Sequence, residues 1–130
     1  MTPWWLTQSL FVGLGGFLGS VLRFTVGGVA HRLLPTSQLP VGTLAVNVAG
    51  CFAIGLLGGL GASRHAFGPQ ARLFLFIGVL GGFTTFSSFG YETLALARDA
   101  DYLRAGLNVV LNLGAGLVAV WLGLALAKGW

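Results

Sequence analysis

The sequence predicts an all-α membrane protein with four transmembrane helices, forming one four-helix domain over residues 1–130, and three observations support this. Only 8% of the 130 residues are charged and 55% are hydrophobic, whereas about a quarter of the residues in a soluble domain are charged. Four long stretches contain neither a charged residue nor a histidine. Prolines lie between these stretches, where they interrupt helices at least cost. The predicted surface is therefore covered by lipid.

Each charge-free stretch is about as long as the roughly 20 residues that cross the hydrocarbon core of a bilayer. The stretches cover residues 1–22, 33–63, 73–91 and 105–127. Strands do not fit, because barrel strands are shorter and alternate polar with apolar residues. The predicted helices are Trp4–Ala30, Val41–Gly61, Ala71–Ala97 and Tyr102–Ala127. The predicted connections contain Pro35, Pro40 and Pro69.

Several classes of function do not fit the composition. Cys51 is the single cysteine and lies inside a predicted span, so a disulfide framework is excluded. The net charge of +4 is too sparse and scattered for a nucleic-acid partner. His31 and His65 flank separate spans without a neighbouring nucleophile or metal-ligand spacing. We expect a protein that is not an enzyme and that acts within or between its spans.

The basic residues at the ends of the spans do not favour either orientation. Four spans place both termini and the second connection on one side of the membrane. That side carries Arg64, Arg72 and Lys128, and the other carries Arg32, Arg98 and Arg104. Because Lys and Arg normally concentrate on the cytoplasmic side, two interpretations remain open. Either a weak signal fixes one orientation, or the chain inserts both ways and pairs as an antiparallel dimer.

The third predicted span has an unusual centre. Gly81 and Gly82 are followed by Thr84 and Thr85, a combination with poor helix propensity. A break here is tolerated only if it is buried in protein or lines a wet cavity, and its freed carbonyls can coordinate a cation. A continuous helix whose glycines allow close packing explains the same residues. If the break forms, we expect Gly81 to adopt a conformation that a Cβ would hinder.

Aromatic and hydroxyl residues follow these glycines and threonines. Phe86 and Phe89 are three residues apart, so they share a face of a helix. Such a stripe commonly serves packing, but the positive edges of the rings can also stabilise an anion. Ser87 and Ser88 add hydroxyl donors, or else bond to their own helix backbone.

The second and fourth spans carry further polar residues at depth. Thr43 and Asn47 share one helical face, as do Asn108 and Asn112. An amide in lipid is costly unless it is bonded, so Asn47 either joins helices or donates to an ion. Polar residues in membrane helices generally face a bundle interior or a cavity. These amides therefore predict a polar path without full charges.

Three motifs resemble the Fluc (CrcB) family of fluoride channels. They are GGFLGSVLRF over residues 15–24, GTLAVNVAGCF over residues 42–52 and GGFTTFSSF over residues 81–89. The third motif is highly specific, and the resemblance covers nearly the whole chain. It implies a dual-topology antiparallel homodimer in the cell (inner) membrane, with two fluoride pores, and a third helix that is broken near mid-membrane.

The resemblance also implies roles for particular residues. A structural Na⁺ at the centre of the dimer would be held by the backbone carbonyls of Gly81 and Thr84. The paired pore phenylalanines match Phe86 and Phe89, and the pore asparagine matches Asn47. Arg23 matches the family's first-span arginine and would be structural. The other residues predicted to line the ion pathway are Thr43, Ser87, Ser88, Asn108 and Asn112. In the fourth span the family often has Tyr and Ser where this chain has asparagines.

The expected function is passive export of fluoride, which lowers its cytoplasmic concentration. Two alternatives from other classes are a small four-helix proton-coupled drug exporter and a structural subunit without transport activity. The exporter requires a carboxylate at depth, commonly in the first span, but the chain's only acids are Glu92, Asp99 and Asp101. Glu92 is expected near the end of the third span, as a partner for an arginine.

Overall fold

Four helical segments are long and apolar enough to cross a membrane, as the sequence predicted. The computed structural model describes residues 3–129, except for the side chain of Arg64. The segments are Trp4–Leu33, Val41–Ser63, Pro69–Arg98 and Tyr102–Lys128, and we number them as the first to fourth spans. All the regular elements within the described residues are helical. The chain is therefore a multi-pass, all-helical protein.

The first two spans are uninterrupted α-helices. Helix α1 covers Trp4–Leu33 and helix α2 covers Val41–Arg64. Pro40 immediately precedes α2, and Pro35 lies in the same connection, as predicted. Each helix extends about one turn beyond the predicted end. The polar and charged residues that we used to mark the ends are themselves helical.

The third span consists of four pieces. Helix α3 covers Pro69–Arg72, a π-helical stretch covers Leu73–Leu80, α4 covers Gly81–Phe83 and α5 covers Phe86–Arg98. The prediction that Pro69 lies in a connection is wrong, because Pro69 is the first residue of α3. Proline suits this position, since the first helical residue needs no N–H partner and the ring presets φ.

The fourth span changes from α-helix to π-helix in its middle and then returns to α-helix. Helix α6 covers Tyr102–Val110, a π-helical stretch covers Leu111–Ala115 and α7 covers Gly116–Lys128. Asp101 caps the start of α6, where its carboxylate accepts the Arg104 amide at 3.2 Å and also pairs with the Arg104 guanidinium. Only three residues, 99–101, separate α5 from α6, and the last of them is the capping residue Asp101.

Glycines bring the spans into backbone contact at two crossings. Where α1 meets the third span, a Cβ on Gly15 would lie 2.9 Å from the Gly78 Cα. Where α2 meets α7, a Cβ on Gly55 would lie 3.0 Å from the Val120 Cα. In lipid, helices associate through such close van der Waals packing, because burying apolar surface gives no advantage over the lipid tails.

The buried residues include polar ones, while the exterior is apolar. Asn108 is 1% exposed, and Thr85 and Asn112 are also buried. Large apolar side chains on all four spans are exposed, including Phe17, Leu117 and others. This distribution fits a protein that is solvated by lipid and keeps its hydrogen-bonding groups inside.

Candidate functional site

The polar interior is organised around two residues of the third span with extended backbone. Thr84 has φ −86° and ψ 159°, and Thr85 has φ −150° and ψ 113°. The last helical bond before them runs from the Thr84 amide to the Leu80 carbonyl, at 3.0 Å. Helix α5 then starts afresh at Phe86, with Thr85 as its N-cap. The main chain at Thr85 is therefore available to a neighbouring span.

Asn47 of α2 bonds both main-chain groups of Thr85. The Thr85 amide donates to Asn47 Oδ1 at 2.8 Å, and Asn47 Nδ2 donates to the Thr85 carbonyl at 3.1 Å. Because Thr85 is buried, these groups would otherwise be desolvated without partners. The amide of Asn47 thus replaces the helical bonds that the extended conformation removes.

Two carbonyls lose the amides that a continuous helix would give them. In an α-helix the Thr85 amide bonds the Gly81 carbonyl and the Ser88 amide bonds the Thr84 carbonyl. Here the Thr85 amide bonds Asn47, and the Ser88 amide donates to Thr85 Oγ1 at 3.1 Å. The carbonyls of Gly81 and Thr84 are thereby released from α-helical bonding.

Gly81 itself does not behave as expected. We predicted a conformation that a Cβ would hinder, but Gly81 has φ −63° and ψ −37°, ordinary right-handed helical values. The nearest atom to a Cβ there is the Phe76 carbonyl oxygen at 4.0 Å. The sterically restricted glycine is Gly82, where a Cβ would lie 2.6 Å from the Gly16 carbonyl oxygen. The extended conformation falls on the threonines, whose β-branched side chains favour it.

Three hydroxyls meet at the start of α5. Thr85 Oγ1 donates to Ser88 Oγ at 3.1 Å and lies 3.2 Å from Ser87 Oγ. Neither serine forms a bond back to its own helix, whereas Thr84 does so, to the Leu80 carbonyl at 3.0 Å. Since Ser88 accepts from Thr85, its own O–H hydrogen is not used in these bonds.

Phe86 and Phe89 form an aromatic pair beside the extended residues. Their ring centroids are 5.4 Å apart and the planes are inclined at 55°, within the range of favourable aromatic pairs. Phe89 is 8% exposed, but Phe86 is 78% exposed. The pair therefore runs from the interior of the chain to its outer surface.

Two cavities meet at Thr85. The central cavity has a volume of about 380 Å³ and lies beside Phe86 and Phe89. Its lining contains no charged residue and is completed by Asn47, Gly50, Cys51, Ile54, Phe76, Leu80, Gly81, Thr84, Thr85, Asn112 and Leu113. The second cavity has a volume of about 320 Å³ and is lined by Arg23, Phe24, Gly27, Gly28, His31, Gly42, Thr43, Val46, Thr85 and Ser88.

The structure thus brings most of the predicted site residues together, but in two groups. Asn47, Asn112 and the aromatic pair line the central cavity, while Thr43, Ser88 and Arg23 line the second. Asn108 lines neither of these two cavities and is fully buried between the spans. Whether these side chains contact an ion stays a prediction.

Glu92 has a different partner from the predicted arginine. Thr43 Oγ1 donates to Glu92 Oε1 at 2.7 Å, and Glu92 Oε2 is buried without a partner among the described residues. Glu92 lies within α5, two turns before its end at Arg98. The distance along the helix explains why Arg98 does not pair with it.

Thr93 is a polar residue of the interior that the sequence analysis missed. It accepts from Asn108 Nδ2 at 2.8 Å and donates to the Phe89 carbonyl at 2.7 Å. A signal was present, since Thr93 is four residues after Phe89 and so shares its helical face.

Taken together, these features define a multi-pass membrane protein with a polar interior and an uncharged cavity beside two extended residues of one span. A model of the CrcB-like protein family, described also as Camphor Resistance (CrcB), matches residues 10–124. The chain therefore belongs to the CrcB family, as its motifs predicted.

Named relatives resemble the chain over almost its full length. A protein of Opitutus terrae is 51% identical over 122 residues, which cover 92% of each chain. A protein of Methylobacillus flagellatus is 43% identical over 93% of this chain and 94% of its own. One of Chlorobium phaeobacteroides is 43% identical over 93% of both chains. Each is named a fluoride-specific ion channel, FluC, and thus a channel and not an enzyme.

Proposed function

We propose that this protein is a fluoride-selective channel that exports fluoride passively across the inner membrane and so lowers its cytoplasmic concentration. The observation that carries the proposal is the uncharged central cavity, lined by Phe86, Phe89 and the extended residues, in a chain whose relatives are named fluoride-specific ion channels. Fluoride enters cells as HF, ionises in the less acidic cytoplasm and accumulates there. A passive pathway lets it leave down its electrochemical gradient.

Ring edges and hydroxyls can replace the hydration shell of a small anion without trapping it. The edges of Phe86 and Phe89 carry positive charge, and the hydroxyl hydrogen of Ser88 is not used in its bonds to Thr85. The start of α5 adds the positive end of a helix dipole. A larger halide would gain less from donors set for fluoride, so pore size and donor contacts give selectivity.

A structural Na⁺ fits the released carbonyls of Gly81 and Thr84. Their α-helical partners, the amides of Thr85 and Ser88, bond Asn47 and the Thr85 hydroxyl instead. Within residues 3–129 no three His, Cys, Asp or Glu side chains lie together as metal ligands, so main-chain oxygens are the proposed donors. The ion would offset the cost of anions in a low dielectric.

We further propose that two chains pair antiparallel about this point. Phe86 is 78% exposed although it belongs to the aromatic pair, and Gly81 is exposed beside it. A partner surface covering both would complete the central cavity and bring two pairs of carbonyls to one cation. If Arg23, which lies inside the first span, is left out, three basic residues lie on each side, and this balance permits insertion in both orientations.

The test is fluoride efflux from liposomes containing the purified protein, followed with a fluoride electrode while an ionophore makes the membrane permeable to potassium. We expect rapid fluoride release, and much slower chloride release from matched liposomes. Protein-free liposomes are the control. Release no faster than the control would refute the proposal. Proton-coupled exchange of a cationic drug would support the exporter, whose proton carrier would be Glu92, the one acid inside a described helix. Absence of both activities would support a structural subunit.

A further inference from the structure

The three asparagines form a continuous chain of hydrogen bonds, which we call the amide relay. It starts at Asn47, whose Nδ2 donates to Asn112 Oδ1 at 3.0 Å. Asn112 Nδ2 then donates to Asn108 Oδ1 at 3.0 Å, and Asn108 Nδ2 donates to Thr93 Oγ1 at 2.8 Å. Thr93 finally donates to the Phe89 carbonyl at 2.7 Å. When the bond from the Thr85 amide to Asn47 is included, the chain of bonds connects three spans and both of its ends lie on the third.

The main chain fixes the direction of the relay at both ends. The Thr85 amide can only donate, so it requires the oxygen of Asn47, and the Phe89 carbonyl can only accept, so it takes the hydroxyl hydrogen of Thr93. Each amide in between has one orientation that pairs donors with acceptors. Turning any one of them would set oxygen against oxygen or nitrogen against nitrogen.

The two asparagines that line the central cavity use their amide hydrogens in bonds within the protein. Asn47 Nδ2 donates to the Thr85 carbonyl and to Asn112, and Asn112 Nδ2 donates to both the main-chain and side-chain oxygens of Asn108. No hydrogen of these two amides remains for an ion. Asn108 and Thr93 line neither the central nor the second cavity.

We propose that Thr93 and Asn108 are positioning residues for the ion pathway. They hold Asn112 and Asn47 in one orientation, and Asn47 in turn keeps the main chain of Thr85 extended between the two cavities. The asparagines then act on the ion pathway through the backbone that they position. The effect on transport rests on the proposed function, but the hydrogen-bond relay does not.

The relay is tested by nuclear magnetic resonance of the full chain in micelles, with ¹⁵N-labelled asparagine. The sequence contains only three asparagines, all in the relay, so the spectrum has three side-chain amide pairs. Replacing Thr93 with valine keeps the shape and removes the acceptor of Asn108. We expect Thr93→Val to shift all three pairs and speed their exchange with water, and Thr93→Ser to preserve them.

Thr25 supplies the matched control, because its hydroxyl donates to the Val21 carbonyl at 3.0 Å, as that of Thr93 does to Phe89, but accepts no bond from an amide within residues 3–129. Thr25→Val should leave the three pairs unchanged. A response of the Asn108 pair alone, or of none, in Thr93→Val would overturn the relay. If Thr93→Val does not fold, Thr93→Ala removes the same hydroxyl with less bulk and is subject to the same criterion.

Fluoride efflux then tests positioning. Thr93→Val should slow efflux by roughly fivefold or more, the change that one hydrogen bond of ordinary net strength controls, while Thr93→Ser and Thr25→Val keep the rate of the unsubstituted protein. A disrupted relay with unchanged efflux would refute the positioning role. If the unsubstituted protein moves no fluoride, the proposed function fails, and the spectra still decide whether the relay exists.

Discussion

Replacing Asn47 with leucine tests how much the polar interior contributes to stability. The change preserves size and removes three hydrogen bonds, two to the main chain of Thr85 and one to Asn112 Oδ1. Side-chain bonds in membrane proteins average about 0.6 kcal/mol each, which gives about 2 kcal/mol as a lower limit. Thr85 is buried, and leaving its amide and carbonyl unpaired costs about 1–3 kcal/mol each. We expect a loss of about 4 kcal/mol in the free energy of unfolding.

The assay is unfolding in mixed micelles with increasing SDS, followed by the fluorescence of the four tryptophans. Ser63→Ala is the control on the same helix, because it removes one bond, from the hydroxyl of the exposed Ser63 to the Gly59 carbonyl at 2.7 Å. It should cost less than about 1 kcal/mol. If Asn47→Leu unfolds within about 0.5 kcal/mol of Ser63→Ala, the bonds to Thr85 contribute no net stability and the reasoning is refuted.

Three further predictions concern the rings and the glycines. Replacing Phe86 or Phe89 with isoleucine keeps the bulk of the side chain but removes the ring quadrupole, so fluoride efflux should slow although the protein still folds. Normal efflux from both variants would show that the rings serve only packing. Gly55→Ala should destabilise the crossing with α7 by about 1–3 kcal/mol in the same SDS titration. Gly13→Ala should be neutral, because a Cβ there would lie within 4 Å of no described atom beyond its own stretch of helix; equal effects would contradict the close approach at Gly55. Gly81→Ala should fold normally, given its helical φ and open surroundings, yet slow efflux and weaken its dependence on Na⁺, because Gly81 is exposed where the proposed partner chain approaches and a Cβ would crowd that contact; unchanged efflux would argue against such a close approach.

The four spans could be predicted because each appears in the sequence as a charge-free stretch of about the length that crosses a membrane. It could not predict the π-helical stretches Leu73–Leu80 and Leu111–Ala115. Both lie in uniformly apolar sequence, where no polar residue marks which face is inside, so a change of helical period leaves no pattern. The helix ends were also misplaced, since flanking residues such as Arg32 continue the helix while their long side chains can reach the interface.

Helical spacing was enough to place the polar residues of one span on a common face. It correctly put Asn108 and Asn112 together, and the structure shows them bonded to each other. Which amide faces Thr85 depends on the packing of three spans and could not be read from spacing. The predicted conformation of Gly81 was wrong for a related reason. Helix propensity shows that the helix is weak near this position, but the bond to Asn47 determines that Thr85, and not Gly81, has non-helical backbone.

The groups around Thr85 differ in how easily they can redirect a hydrogen. A hydroxyl reorients by rotating one bond, and the Ser88 hydrogen is not engaged in the bonds it receives from Thr85. The amide of Asn47 cannot turn without breaking its bonds to Thr85 and to Asn112 together. A passing anion needs donors that bind and release within one crossing. If the proposed function is right, the hydroxyls and ring edges therefore bind and release the anion, while the hydrogen-bonded amides keep the backbone between the cavities extended. Asn47→Ser would then keep part of the fluoride flux, because a serine can still bond Thr85, and Asn47→Asp would abolish it, because a carboxylate loses both donors and repels the anion.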